Sequence, residues 1–203
     1  MSCSSFPNLR ESQVVADTSV LINLDASGYA GEIVQAACGV LCTTENAFDE
    51  LLEGERLGYS TASDLRELKD LGLLKVLSLD EREEPIYRSL IEGSAAQTLG
   101  DGEAATISYA TNNDAAALID EKKAKRICGE RFNDLQVATT TDVMLHPNVA
   151  KALGGDHEEA VFMALTKARM HVPRHHIQLV VNLLGEERLD GCSSLPKHVL
   201  RSA

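Results

Sequence analysis

Short apolar runs alternate with longer stretches of helical periodicity along most of this chain, and nothing else in it constrains the fold as strongly. The runs, rich in Val, Leu or Ala, fall at 13–16, 40–43, 74–77, 115–119 and 136–139. Between them, apolar spacing predicts one helix opening after Ser19 and others at 44–53, 60–71, 83–94, 101–112 and 121–131. Strands that alternate with helices predict a parallel sheet covered on both faces, a three-layer α/β/α domain. The run at 74–77 reads either as a short edge strand or as an extended linker. Beyond Asp142 the pattern is helical, with an acidic helix at about 157–169 and another opening at Pro173. Gly185 follows the apolar run 177–184 as a stop. The expected organisation is a sheet domain at 13–145 and a helical extension at 146–203 packed on it. At 203 residues the chain suits one such unit.

In an open parallel sheet, ligands bind beyond the carboxyl ends of the strands. Asp17 follows the first run, inside VVADTSVLINL, and Asp120 follows the fourth. The stretch TTTD at 139–142 closes the last, ending on Asp142. A parallel sheet brings these three ends to one edge. Glu50, on the helix after the second run, and Glu103, in the first turn of the helix at 101–112, are candidates to join them.

Each acid also has a plainer reading. Asp17 or Asp120 before a helix serves as an N-cap, worth roughly 1 kcal/mol. Glu50 fits a solvated helix face, and Glu103 fits a first-turn acid stabilised by the helix dipole. Together, however, carboxylates a few ångströms apart repel unless a cation neutralises them. Hard oxygen ligands suit Mg²⁺ or Mn²⁺, and the chemistry such a site best supports is hydrolysis of phosphate esters.

The formal net charge of -12 sets the chain against tight, non-specific binding of nucleic acid. It leaves room for a local basic patch, a cation-assisted site or a basic partner. Aromatic residues at 4% with no Trp argue against a stacking platform for single strands. Cys3, Cys38, Cys42, Cys128 and Cys192 lack zinc-site spacing and read as reduced thiols. The polar start at 1–13 and the lack of any apolar stretch near the ~18 residues of a membrane helix predict a cytoplasmic protein without membrane association. His171, His175 and His176 are expected at the surface or against a partner, since adjacent helical residues point about 100° apart and make poor joint ligands. The basic run Lys122, Lys123, Lys125 and Arg126, with Arg131 beyond, reads as a solvated face from which one or two side chains reach a phosphate. GDGEAA at 100–105 fits G-x-G-x-x-A, but helix end and loop precede it rather than a strand, so a dinucleotide site is excluded.

Four blocks, VVADTSVLINL, TTENAFDELLEG, LGDGEAATISYA and AAALIDEKKAKRICGERFNDLQVATTTDVML, together resemble PIN-domain (PilT N-terminus-like) ribonucleases. The likeness is greatest to the toxin halves of bacterial and archaeal VapBC-type toxin–antitoxin modules and spans about 14–145. It implies a five-stranded parallel sheet and a Mg²⁺- or Mn²⁺-dependent acidic site that hydrolyses RNA. It further implies an antitoxin partner and a homodimer. Carried onto this sequence, the catalytic and metal-binding acids are Asp17, Glu50, Glu103 and Asp120, with Thr18 and Ser19 as hydroxyl neighbours. Asp142 stands where some relatives carry an additional metal-binding acid. Asp49 is the alternative at the second position, but Glu50 directly precedes the Leu51–Leu52 pair that the family pattern expects. A standalone RNA-processing nuclease and a catalytically silent binding module are the competing functions.

Overall fold

The structure is a computed structural model and describes residues 9–58 and 63–196. Strands β1 (Val14–Ala16), β2 (Leu41–Thr44), β3 (Leu74–Leu77), β4 (Ala116–Leu118) and β5 (Val137–Ala138) form one sheet, ordered β3-β2-β1-β4-β5. Every pairing is parallel. The run at 74–77 is therefore an edge strand and not a linker. Helices α1 (Thr18–Ser27), α2 (Ala30–Ala37), α3 (Glu45–Arg56), α4 (Ser63–Asp70) and α5 (Glu84–Ile91) follow the first three strands. Next come α6 (Asp101–Asn112), α7 (Lys122–Arg131), α8 (Thr140–Met144), α9 (Pro147–Leu153), α10 (His157–Lys167), α11 (Ile177–Leu184) and α12 (Glu186–Leu189).

The period of two along each strand sorts the core into two layers. Val14, Ala16, Leu41, Ala116 and Leu118 pack with residues of α1, α2, α4 and α8 to α11. Val15, Cys42, Ala117 and Ile119 pack on the opposite face with α5, α6 and α7. This is the expected three-layer α/β/α arrangement. Small residues bring α6 close to the sheet: Ala104, Ala105 and Ala110 are all buried. Among the C-terminal helices, α10 packs against α1 and α9 against α2.

The strand order reverses between β1 and β4, because the chain winds outward through β2 and β3 before returning to the other side of β1. Such a switch point opens a crevice at the carboxyl ends of the two central strands. Register makes those ends level: Ala16 pairs with Leu118, and the Asp17 N–H donates to the Leu118 carbonyl at 3.2 Å.

Three local expectations are corrected. The last strand stops at Ala138, and TTTD opens α8 rather than ending a strand. Thr139 Oγ1 accepts from the Asp142 N–H at 3.2 Å, while Asp142 Oδ2 accepts from the Thr139 N–H at 2.8 Å. This reciprocal capping box overrides the β preference of the Thr run. The segment at Pro173 forms a 3₁₀ turn, Arg174–His176, before α11 begins at Ile177. The first helix opens at Thr18, directly on its Asp17 cap. The helix expected at 60–71 begins partly outside the described residues, as do Cys3 and the first eight residues. Cys38, Cys42, Cys128 and Cys192 are free thiols. Among the described residues no helix is long and apolar enough to cross a membrane.

Candidate active site

Asp17 is buried, 1% exposed, at the switch point. Its two oxygens divide the roles that the sequence left as alternatives. Oδ1 caps α1, accepting from the Val20 N–H at 2.9 Å and the Ser19 hydroxyl at 2.8 Å. Oδ2 is equally buried and has no hydrogen-bond partner among the described residues. Burial pushes the carboxyl up to about 7, and repulsion from Asp120 and, more weakly, Glu103 adds to it, against the two bonds on Oδ1.

Asp120 is the counterpart two residues past the end of β4, and is also buried. Unlike Asp17, it is held on both oxygens. Oδ1 accepts from the Thr140 N–H at 2.8 Å, and Oδ2 from the Thr140 hydroxyl at 2.5 Å and from Asn23 Nδ2 at 2.6 Å. Burial raises its pKa, while the Thr140 and Asn23 bonds and the charge of Lys125 oppose the rise. Three donors on Asp120 and an orphan oxygen on Asp17 favour ionisation at Asp120 over Asp17. Asn23 and Thr140 were absent from the sequence-based candidates. The visible signal for Asn23 is a lone amide inside the apolar run VLINL. Thr140→Val removes one donor at nearly constant volume. We expect it to cost about 2 kcal/mol in urea unfolding, the value of a buried hydrogen bond to a charged group. An unchanged midpoint would show that Asp120 does not depend on the turn.

Glu103 lies in the first turn of α6 and accepts from the Gly100 N–H at 3.3 Å. Burial raises its pKa; that bond and Lys123 oppose the rise, whereas Glu121 and Glu50 add to it. Glu50, not its neighbour Asp49, contacts this region. Its Oε2 accepts from the Thr18 hydroxyl at 2.6 Å and its Oε1 from the Gly102 N–H at 2.9 Å, which ties α3 to the starts of α1 and α6. Asp17, Glu103 and Asp120 are thus electrostatically joined, and Glu50 meets them through Glu103 and Thr18.

Asp142 stands apart from this set. Oδ2 accepts from the Thr139 hydroxyl as well as its N–H, and Oδ1 faces His176 Nε2 at 2.6 Å. Burial, which would raise its pKa, is outweighed by the bonds from His176 and Thr139, and the pKa falls. The expectation of a surface position is corrected for His176, which is buried with its Nε2 2.6 Å from Asp142 Oδ1, while the exposed His175 places its Nε2 4.0 Å from the same oxygen. Both residues belong to the 3₁₀ turn that leads into α11.

The basic run is sorted by its contacts. Arg126 is committed to Glu130 and the Ala96 carbonyl, and Arg131 to Ser89. Lys125 is half-buried and faces Asp120 and Asp142, while Lys123 faces Glu103. Burial lowers the Lys125 pKa against the pull of those two acids.

Coupled carboxylates at the switch point of an all-parallel sheet, one with a buried oxygen lacking any donor, fit a hard divalent cation. Fold and site together define an α/β protein with an acidic cation site at its carboxyl edge. A family profile described as a PIN domain matches residues 13–186, and the chain belongs to the PIN-domain family. The match takes in all five acids and runs on through α11. PIN domains are typically metal-dependent nucleases, so membership points to nuclease activity in general. Comparison with curated proteins gives no match.

Proposed function

We propose that the chain is an endoribonuclease in which Asp17, Glu103 and Asp120 hold Mg²⁺ or Mn²⁺ and Glu50 completes the catalytic set. The observation that carries this reading is the buried Asp17 Oδ2, which has no donor and sits beside a second buried acid. When bound, the cation supplies Lewis acidity and a water activated for attack on the phosphodiester. The protein contributes the rest. Thr140 and Asn23 fix both oxygens of Asp120, so its orientation is set before substrate arrives. The Ser19 and Val20 donors hold Oδ1 of Asp17 and turn Oδ2 inward. Glu50 pins the first turn of α6 and with it Glu103. Lys123 and Lys125 offer ammonium groups for a phosphate beside the acids, a local answer to the net charge of -12.

The test is cleavage of a mixed RNA pool with Mn²⁺ by the native protein and by Asp17→Asn. Cleavage by the native protein that falls to background in the variant is expected. Equal residual activity in both sinks the nuclease reading, and no cleavage by either favours a silent binding module. The toxin role, with an antitoxin partner, a homodimer and a cytoplasmic setting, rests on the resemblance of the four sequence blocks. Growth arrest on expressing the chain alone, absent with Asp17→Asn, is its expected sign. Cleavage without arrest favours an RNA-processing enzyme.

A further inference from the structure

The Asp142 cluster has the chemistry of a different metal site. The ligand atoms of Asp142, His175 and His176 all lie within 4.8 Å of one another. Asp142 Oδ1 is 2.6 Å from His176 Nε2 and 4.0 Å from His175 Nε2. The two rings stand 4.1 Å apart between centroids and 50° between planes, so neither stacks flat against the other. In a tetrahedral site with bonds near 2.0–2.1 Å, donors lie about 3.3 Å apart. The two carboxylate–imidazole separations, 2.6 and 4.0 Å, bracket that figure, each within about 1 Å of it.

The surroundings are organised around the same oxygen. Thr139 occupies Oδ2 with both its N–H and its hydroxyl, which leaves Oδ1 toward the histidines. Ligating carboxylates are commonly fixed in this way by hydrogen bonds behind them. His176 is buried, 2% exposed, whereas the His175 side chain is 69% exposed, so one ligand belongs to the wall and the other to the solvent rim. Two imidazoles and one carboxylate with an open fourth position prefer Zn²⁺ over Mg²⁺.

We propose that Asp142, His175 and His176 form a Zn²⁺ site separate from the Asp17–Glu103–Asp120 set. It clips the segment before α11 to the start of α8. Adjacent residues then serve the two sites, Thr139 holding Asp142 and Thr140 holding Asp120. The proposal does not depend on nuclease activity.

Calorimetric titration of Zn²⁺ into the full chain tests it, with Asp17→Asn and His175→Ala as variants. His175 is chosen because its exposed ring can be removed without opening the core. With Mg²⁺ in large excess to occupy the acid set, one tightly bound Zn²⁺ per chain is expected, unaltered in Asp17→Asn and weakened at least about tenfold in His175→Ala. Co²⁺ as a spectroscopic probe should give visible bands of a nitrogen–oxygen site that are lost in His175→Ala. No Zn²⁺ binding, binding unaltered in His175→Ala, binding lost in Asp17→Asn, or a Co²⁺ spectrum with thiolate charge transfer would each overturn the proposal.

Discussion

Replacing Asp17 by Asn is expected to make the metal-free protein more stable at neutral pH, although the same change removes an acid of the proposed catalytic set. The folded-state pKa of Asp17 is raised to about 7 from an ordinary 3.8. Between those values the folded chain keeps a proton that the unfolded chain has lost. Native stability therefore falls as pH rises through that window and stays low above it. The amide of the Asp17→Asn variant has no such proton to lose. The advantage of the variant should be absent below pH ~4 and grow to the order of 4 kcal/mol above pH ~7. The cap survives, because Asn and Asp are equivalent N-caps and the retained oxygen accepts from Val20 and Ser19. The amide nitrogen takes the place of the orphan Oδ2 and presents donors on the side from which Asp120 repels. Urea unfolding in chelator at pH 4 and pH 8 measures this. A native protein more stable than Asp17→Asn at pH 8 would mean that Oδ2 serves the fold, not a ligand. Asp120→Asn supplies the contrast. Both oxygens of Asp120 accept hydrogen bonds, so an amide nitrogen there faces a donor and the variant should lose stability.

That difference between two buried acids shows what the sequence could and could not disclose. Both follow an apolar run, and both were legible as residues at strand ends. Which oxygen lacks a partner depends on Thr140 and Asn23, which lie 20 and 97 residues from Asp120 in the chain. No local pattern reports such a contact. β1 and β4 were legible because a strand buried on both faces is near-continuously apolar, as VVA and AAL are; β2 is equally buried but closes on Thr43 and Thr44. The start of α8 was misread for the opposite reason. Three successive Thr residues favour an extended chain by propensity, yet T-x-x-D is also a capping signature, and the cap won. The pairing of Asp142 with His176 spans 34 residues and joins two helix starts, so it too emerges only from the folded chain.

Gly102→Ala should destabilise the protein and disable the acid set, against the usual benefit of Ala in a helix. At an unconstrained helical site the exchange gains up to about 1 kcal/mol. Here a Cβ would lie 2.7 Å from Glu50 Oε2, 2.8 Å from Thr18 Oγ1 and 3.1 Å from the Ala47 Cα. The Glu50 carboxylate ends a flexible side chain and can retreat. Thr18 is β-branched and held in the first turn of α1, and Ala47 is backbone of α3, so neither yields readily. The first turn of α6 must then lift, which breaks the Gly102–Glu50 bond of 2.9 Å. Overpacking of this kind costs about 1–3 kcal/mol, and we expect a net loss of about 2 kcal/mol in urea unfolding. Glu103 rides on the same turn, so RNA cleavage should fall with stability even where the variant remains folded. Placing Gly102→Ala on a Glu50→Ala background separates the causes. The Gly102–Glu50 bond is already absent there, so the cost of the added methyl should shrink to the part set by Thr18 and Ala47. If Gly102→Ala instead stabilises the chain, as it would on an open helix, then α6 does not rest on Glu50 and Thr18, and the coupling of Glu50 to the other acids through that turn is lost with it.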